Sequence, residues 1–279
     1  MTAILLALAS SVAYGLTDFL GGLAARRAHI FLLGMITQPL GLVVLLAIAP
    51  LVGGSLGPEV WFWGAVSGLG GALAYVTLFR ALAIGPMSVA SPISALIAVV
   101  LPVLVGVLLG ERLPALGWLG IGLGILAVLM VSQVHQDAPH PVSLRVIVLS
   151  IAAGVFISVF LVALERAPED SGLWPLVVVR IVTTALLTAA ALATGVVSRP
   201  QRDAVMLGSA STLLDVAATA AFMLATREGL LTVVAVITAL YPAATVLMAR
   251  IVLKEHLQVV QRFGLLLAAI SVGVLAAVA

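Results

Sequence analysis

Long apolar stretches alternate with short polar clusters along the whole chain, and the clusters are rich in charged residues, glycine and proline. A helix needs about 20 mostly apolar residues to cross the hydrocarbon core of a bilayer, and each stretch supplies them. The pattern predicts ten membrane-spanning helices, at residues 3–25, 30–52, 60–82, 87–109, 114–133, 144–164, 172–196, 204–226, 230–252 and 258–278.

The composition supports this interpretation. Of the 279 residues, 63% are hydrophobic and 9% are charged, whereas soluble domains contain roughly 45–50% apolar and ~25% charged residues. A soluble fold could not bury so much apolar surface, and the short loops leave no room for a soluble catalytic domain. We therefore expect an all-α, polytopic membrane protein surrounded by the lipid bilayer.

The longest polar stretch, at residues 132–145, divides the predicted helices five and five. This division suggests two five-helix repeats, residues 1–134 and residues 143–279. Because five is an odd number of membrane crossings, the second copy must lie inverted relative to the first. Inverted repeats are the usual basis of alternating access to a central site.

The fourth predicted helix of each half carries the internal similarity. Residues 88–112 align without a gap on residues 232–256, and six of the 25 aligned positions are identical, including Glu111 with Glu255. Both stretches are followed by one further apolar helix, as a duplicated five-helix unit requires.

Lys and Arg residues are spread over many loops without a basic run, and the net charge is +2. We therefore expect no binding of nucleic acid. The loops on one side of the predicted bundle hold nine Lys and Arg residues, and the loops on the other side hold three. The positive-inside rule then predicts that both termini lie outside.

Three charged residues lie well inside predicted helices: Asp18, Arg180 and Asp215. Each costs on the order of 2.5–3.5 kcal/mol at the centre of a spanning helix, so the three should face the bundle interior or water. Intramembrane charges of this kind are typical of substrate and ion pathways. We predict that these three residues bind the solute or a coupling ion.

Four uncharged polar residues join this candidate site. Tyr14 shares a helix face with Asp18 in the first predicted helix. Tyr241 lies in the sequence "TALYP". Ser94 and Thr238 occupy matching positions in the two aligned stretches. Small and hydroxyl side chains around buried charge are what a hydrated, solute-sized cavity needs.

Two interpretations of the three charges remain open. Asp18 or Asp215 could form a fixed ion pair with Arg180, or bond to nearby hydroxyls, and so only hold helices together. Alternatively, the carboxylates could carry protons, and the three charges together could bind the ammonium and carboxylate groups of an amino-acid-like solute.

Prolines inside predicted helices form a second group of candidates. Pro92 and Pro102 in the fourth helix and Pro242 in the ninth each remove one backbone hydrogen bond, which predicts helix breaks that line a cavity. A packing kink without ligand contact is the alternative.

Sequence signatures of enzymes are missing from the chain. It has no cysteine, no His pair at metal-ligand spacing, and no HExxH, GxSxG or P-loop motif. We therefore predict no enzymatic activity, no metal site and no cofactor.

Ten short-looped helices in two halves, with fourth helices that end in "LLGER" (108–112) and "VLKEH" (252–256), resemble the EamA-type members of the drug/metabolite transporter superfamily. The resemblance covers essentially the whole chain. It implies secondary active transport of a small metabolite or drug-like solute across the cytoplasmic membrane, often as export, by alternating access. Proton coupling, an uncoupled facilitator or exchanger, and a non-transporting structural membrane protein all remain open, as do a monomer and a homodimer.

Overall fold

The computed structural model of the protein describes residues 1–131, 143–196, 200–253 and 258–278. The described residues fold into α-helices, one short 3-10 helix and no strands, which confirms the all-α fold class. The helices are α1 (Thr2–Ala25), α2 (Ile30–Val52), α3 (Pro58–Ile84), α4 (Met87–Leu108), α5 (Ala115–Val131), α6 (Leu144–Glu165), α7 (Trp174–Ala193), α8 (Arg202–Glu228), α9 (Leu231–Thr238), α10 (Tyr241–Leu253) and α11 (Val259–Ala276), with the 3-10 helix at Glu169–Ser171 between α6 and α7.

Within these described ranges, nine stretches are helical, long and apolar enough to cross a membrane. A tenth apolar helix, α5, has 17 described residues and ends where the description stops. The protein is therefore a multi-pass membrane protein. The predicted boundary between the halves, at 134–143, lies largely outside the described residues. The second Glu motif, at 252–256, lies partly outside them.

The ninth predicted span is two helices rather than one, because α9 ends at Thr238 and α10 begins at Tyr241. Pro242 has no N–H, so the carbonyl of Thr238 loses the donor that a continuous helix would supply. By contrast, α4 continues through Pro92 and Pro102. The predicted breaks at those two prolines are therefore wrong: each proline removes one hydrogen bond, and the neighbouring turns keep the helix continuous.

Helix packing follows a two-fold pseudosymmetry between the halves. Helix α1 packs on α8, and its counterpart α6 packs on α3; helix α4 packs on α6, and α10 packs on α1. Helices α2 and α7 pack on each other, and so do α5 and α11. Exchanging the halves therefore maps each main helix pair onto another pair or onto itself. Each of these pairs joins one helix from each half, so the two halves are interleaved.

Two glycines permit the symmetric crossings of this arrangement. A Cβ atom on Gly15 of α1 would lie 2.5 Å from the carbonyl oxygen of Tyr241, and one on Gly154 of α6 would lie 2.7 Å from the carbonyl oxygen of Ser94. Only a residue without a side chain allows backbones to approach this closely. The crossings bring the backbone at Tyr241 against α1 and the backbone at Ser94 against α6.

Candidate functional site

Arg180 of α7 lies at the centre of a polar cluster that joins three helices. Its guanidinium donates hydrogen bonds to the carboxylate of Asp215 on α8 and to the amide oxygen of Gln38 on α2. The Arg180 side chain is 6% exposed and that of Asp215 is 29% exposed. Arg180 and Asp215 form an ion pair, so the charges of this cluster cancel.

Asp18 of α1 is not part of that ion pair. Its carboxylate accepts a hydrogen bond of 2.9 Å from the hydroxyl of Ser91 on α4, and the residue is 5% exposed. In the described ranges, no Lys, Arg or His side chain forms an ion pair with it. Asp18 is therefore a buried carboxylate without a matching positive charge among those residues.

Two tyrosines extend the polar groups across the interface between the halves. The Tyr14 hydroxyl shares a hydrogen bond of 3.0 Å with the Thr219 hydroxyl, and the Tyr241 hydroxyl shares one of 3.2 Å with the Ser94 hydroxyl. The Tyr241 hydroxyl also donates to the carbonyl oxygen of Ser91 at 3.4 Å. Since Ser91 bonds to Asp18, Tyr241 is connected to that carboxylate through Ser91, and Tyr14 lines the same cavity as Asp18.

Hydroxyl side chains also fix α1 against α8. Ser211 donates to the carbonyl oxygen of Thr17 at 3.0 Å, and Ser10 donates to the carbonyl oxygen of Ala218 at 2.8 Å. Bonds from hydroxyls to backbone carbonyls are a common means of joining helices in a membrane. They hold the helix that carries Asp18 in a defined register beside the helix that carries Asp215.

These polar groups surround one cavity of about 120 Å³, which is room for several water molecules. Helices from both halves line it. Its polar lining includes Tyr14, Thr17, Asp18, Gln38, Tyr75, Arg180, Thr183, Ser211, Thr212, Asp215, Thr219, Thr238 and Tyr241, and its apolar lining includes Leu33, Leu45, Leu78, Phe79, Ala98, Ile157, Phe160, Leu161, Leu176, Val179 and Val216. Among the described residues, no group of three or more His, Asp or Glu side chains is placed to hold a metal ion.

Most residues that the sequence singled out lie around this cavity. Its lining includes Asp18, Arg180, Asp215, Tyr14, Thr238 and Tyr241. Ser94 stands behind Tyr241 and contacts its hydroxyl. Pro92, Pro102 and Pro242 are buried but do not belong to the lining.

Thr238 places an unpaired hydroxyl on the cavity wall. It is buried, and the structure gives it no hydrogen-bond partner among the described residues. Thr238 is also the last residue of α9, beside the interruption that precedes α10. An unpaired hydroxyl at a helix break on the cavity wall is available to a bound solute.

Sequence reasoning missed Gln38, Ser91 and the two phenylalanines of the cavity lining, Phe79 and Phe160. Gln38 lies in "ITQPLG", in the middle of α2, and is 3% exposed. Gln38 carries no charge, so the pattern of charged residues does not include it, although an amide inside a spanning helix is also costly unless it is paired. Phe79 and Phe160 give no such signal, because phenylalanine is common on every face of a membrane helix.

Comparison with known proteins agrees with this architecture. The model of the EamA-like transporter family matches residues 1–133 and 144–277, so the match covers both halves. A solved crystal structure matches 98% of this chain and 95% of its own chain, with a TM-score of 0.78 and 19% sequence identity. At that identity the likeness shows the fold alone. Among the curated proteins, none matches the chain.

Proposed function

The chain belongs to the EamA-like transporter family, and from this premise we propose that it is a secondary active transporter of a small metabolite or drug-like solute. The family match confirms the resemblance that the sequence motifs suggested, and it identifies a membrane transporter of small solutes. The solute, its direction of movement and the driving ion are the parts that we propose.

The observation that carries the proposal is the position of the cavity. Both repeats line it, and Asp18, Arg180 and Asp215 all face it. Transporters built from inverted repeats bind their solutes at the interface between the repeats, and one repeat then moves against the other around the site. A cavity with buried charges at this interface therefore supports solute binding.

The distribution of bonds around the cavity also supports movement of the repeats. The Asp18–Ser91 bond lies within the first repeat, and the Arg180–Asp215 pair lies within the second. The bonds that join the repeats at the cavity engage uncharged hydroxyl or amide groups, as in the Tyr14–Thr219 contact. A bond between two neutral groups contributes about 0.5–1.5 kcal/mol, and the bond from Arg180 to Gln38, which also joins the repeats, contributes about 1.5–3 kcal/mol because its donor is charged. The repeats can therefore separate locally without breaking an ion pair.

We propose that Asp18 takes up a proton when the solute leaves, which couples transport to a proton gradient. The protein then works as an exporter in the cytoplasmic membrane, with both termini outside as the loop charges predict. An uncoupled facilitator or exchanger is the close alternative.

The test is transport by the purified protein in proteoliposomes, with a panel of amino acids, amines and drug-like solutes and with an imposed pH gradient. We expect saturable flux of at least one solute that increases with the gradient and is abolished by Asp18→Asn. Asp203→Asn is the matched control, because Asp203 is exposed and its ion-pair partner among the described residues is Arg27, at 3.9 Å.

Three results would contradict parts of this proposal. Folded protein without flux of any solute would indicate a structural membrane protein. Flux that ignores the pH gradient would indicate a facilitator or exchanger. Flux in Asp18→Asn equal to that of the unaltered protein would remove the assigned role of Asp18.

A further inference from the structure

The charges that line the cavity do not sum to zero. Asp18 and Asp215 are acidic and Arg180 is basic, and these three are the charged residues of the lining. Arg180 is already paired with Asp215 and is also bonded to Gln38. One negative charge, on Asp18, is therefore left without a counterpart among the described lining residues when both carboxylates are ionised.

Asp18 also has unused capacity to accept hydrogen bonds. A carboxylate can accept about four, and the Ser91 hydroxyl is the donor that the structure gives it within the described ranges. On the neighbouring helices, Ser91 of α4 bonds to Asp18 and Tyr241 of α10 bonds to Ser91, and neither group is cationic. A donor that carries positive charge would fill this capacity best, since charge-assisted bonds are the stronger ones.

The rest of the wall suits an apolar body. Tyr75 and Phe79 form an edge-to-face pair with ring centroids 4.8 Å apart, and both line the cavity together with Phe160. Aromatic rings prefer edge-to-face or offset contacts with further rings, and their faces attract cations. The cavity thus combines one unmatched carboxylate with a largely aromatic and aliphatic wall.

We infer that the solute is a monovalent organic cation, a protonated amine attached to an apolar or aromatic body, whose ammonium group binds Asp18. This inference rests on the proposed function and narrows its solute class. An amino-acid-like zwitterion fits less well, because its carboxylate would need a free cation and the charge of Arg180 is already balanced by Asp215. A neutral solute would leave Asp18 unmatched.

The test compares four probes that share a benzene ring and differ in charge at neutral pH: phenethylammonium, phenylalanine, hydrocinnamate and phenethyl alcohol. Binding to the purified full-length protein is measured by isothermal titration calorimetry. We expect phenethylammonium to bind about tenfold more tightly than the alcohol, which is the ratio that one charge-assisted hydrogen bond provides. Phenylalanine and hydrocinnamate should bind more weakly than phenethylammonium.

Variants then assign the preference to Asp18. Asp18→Asn should make phenethylammonium and the alcohol bind alike, whereas Asp203→Asn should keep the tenfold difference. Ser91→Ala retains the carboxylate and should keep the preference for the cation as well. The order of the four probes on the unaltered protein decides the solute class even if Asp18→Asn fails to fold.

Tighter binding of the zwitterion, the anion or the alcohol, or no binding of the cation, would overturn the inference. Flux in proteoliposomes separates this failure from failure of the proposed function. If the protein transports phenylalanine but not phenethylammonium, transport stands and the cationic class is wrong. If it binds phenethylammonium through Asp18 but moves neither this amine nor any other solute, the cation site stands and the transport function is wrong.

Discussion

The carboxylate of Glu111 accepts a hydrogen bond of 2.8 Å from the backbone N–H of Leu231, although the two residues belong to different repeats. Its second oxygen accepts the N–H of Thr232 at 3.0 Å. Gly110, with φ of 93° in the left-handed region, follows the end of α4 at Leu108 and precedes Glu111, which reaches the first turn of α9. A carboxylate at this place satisfies unpaired N–H groups and the positive end of the helix dipole. The "LLGER" motif thus caps a helix of the other repeat.

Replacing Glu111 should therefore destabilise the contact between the repeats. We expect Glu111→Ala to lower the free energy of unfolding by about 1–2 kcal/mol, the usual cost of a lost N-cap. Glu111→Gln should cost less, because its amide oxygen can still accept one of the two bonds. Thermal unfolding of the purified protein in detergent measures both effects.

The control for this prediction is Glu228→Gln, three residues before Leu231. Glu228 is exposed at the end of α8, and its replacement should leave the unfolding temperature unchanged. If Glu111→Ala were as stable as the unaltered protein, the capping bonds would contribute nothing measurable.

The cost of placing charge in a bilayer explains how much of the site could be predicted. Asp18, Arg180 and Asp215 line the cavity because each would be unstable against lipid, so their presence in apolar stretches carried information on position. Which of the two carboxylates pairs with Arg180 could not be predicted, because distance along the chain does not determine which helices become neighbours. Arg180 pairs with Asp215 because α2 packs on both α7 and α8 and holds them at the same cavity, while Asp18 bonds to a serine.

The prolines show a different limit of the sequence. Pro92, Pro102 and Pro242 each remove one backbone donor, and the local chemistry is the same at all three. Nevertheless α4 is continuous, whereas the ninth span is interrupted before Pro242. The outcome depends on the packing around each proline, which the pattern of apolar residues does not contain.

Variants at Arg180 and Asp215 can separate the contribution of this ion pair to protein stability from its contribution to transport. Asp215→Ala leaves the buried guanidinium without its carboxylate, and breaking a buried pair in this way costs about 3–5 kcal/mol. The double variant Arg180→Met, Asp215→Leu removes both charges and should be more stable than Asp215→Ala in thermal unfolding, because neither partner is left unpaired.

Flux in proteoliposomes completes this experiment. We expect the double variant to fold and to lose transport, since the cavity would then lack two of its polar groups. Transport by the double variant at the rate of the unaltered protein would mean that the pair only joins α7 to α8.

The contact between Tyr241 and Ser94 should be measurable as a coupling between the repeats. Tyr241→Phe and Ser94→Ala each remove one hydroxyl of a bond that is 3.2 Å long, and each should cost about 1 kcal/mol of unfolding free energy. In a double-mutant cycle the two costs should not add, with a coupling energy of about 0.5–1 kcal/mol. The matched control pairs Tyr14→Phe with Ser94→Ala, because Tyr14 bonds to Thr219 instead. Additive costs in the Tyr241 cycle would show that this bond does not hold the repeats together.

The crossing of α1 and α10 predicts that Gly15→Ala and Gly122→Ala will change stability in opposite directions. A Cβ atom on Gly15 would lie 2.5 Å from both the Tyr241 carbonyl oxygen and the Ala244 Cβ, whereas one on Gly122 of α5 would have nothing within 4 Å. Alanine stabilises a helix interior by about 0.5–1 kcal/mol relative to glycine, so Gly122→Ala should raise the unfolding temperature. Gly15→Ala must separate two packed backbones and should lower it, with a loss of transport because Tyr241 moves with α10. Equal shifts in the two variants would contradict the close crossing that places Tyr241 at the cavity.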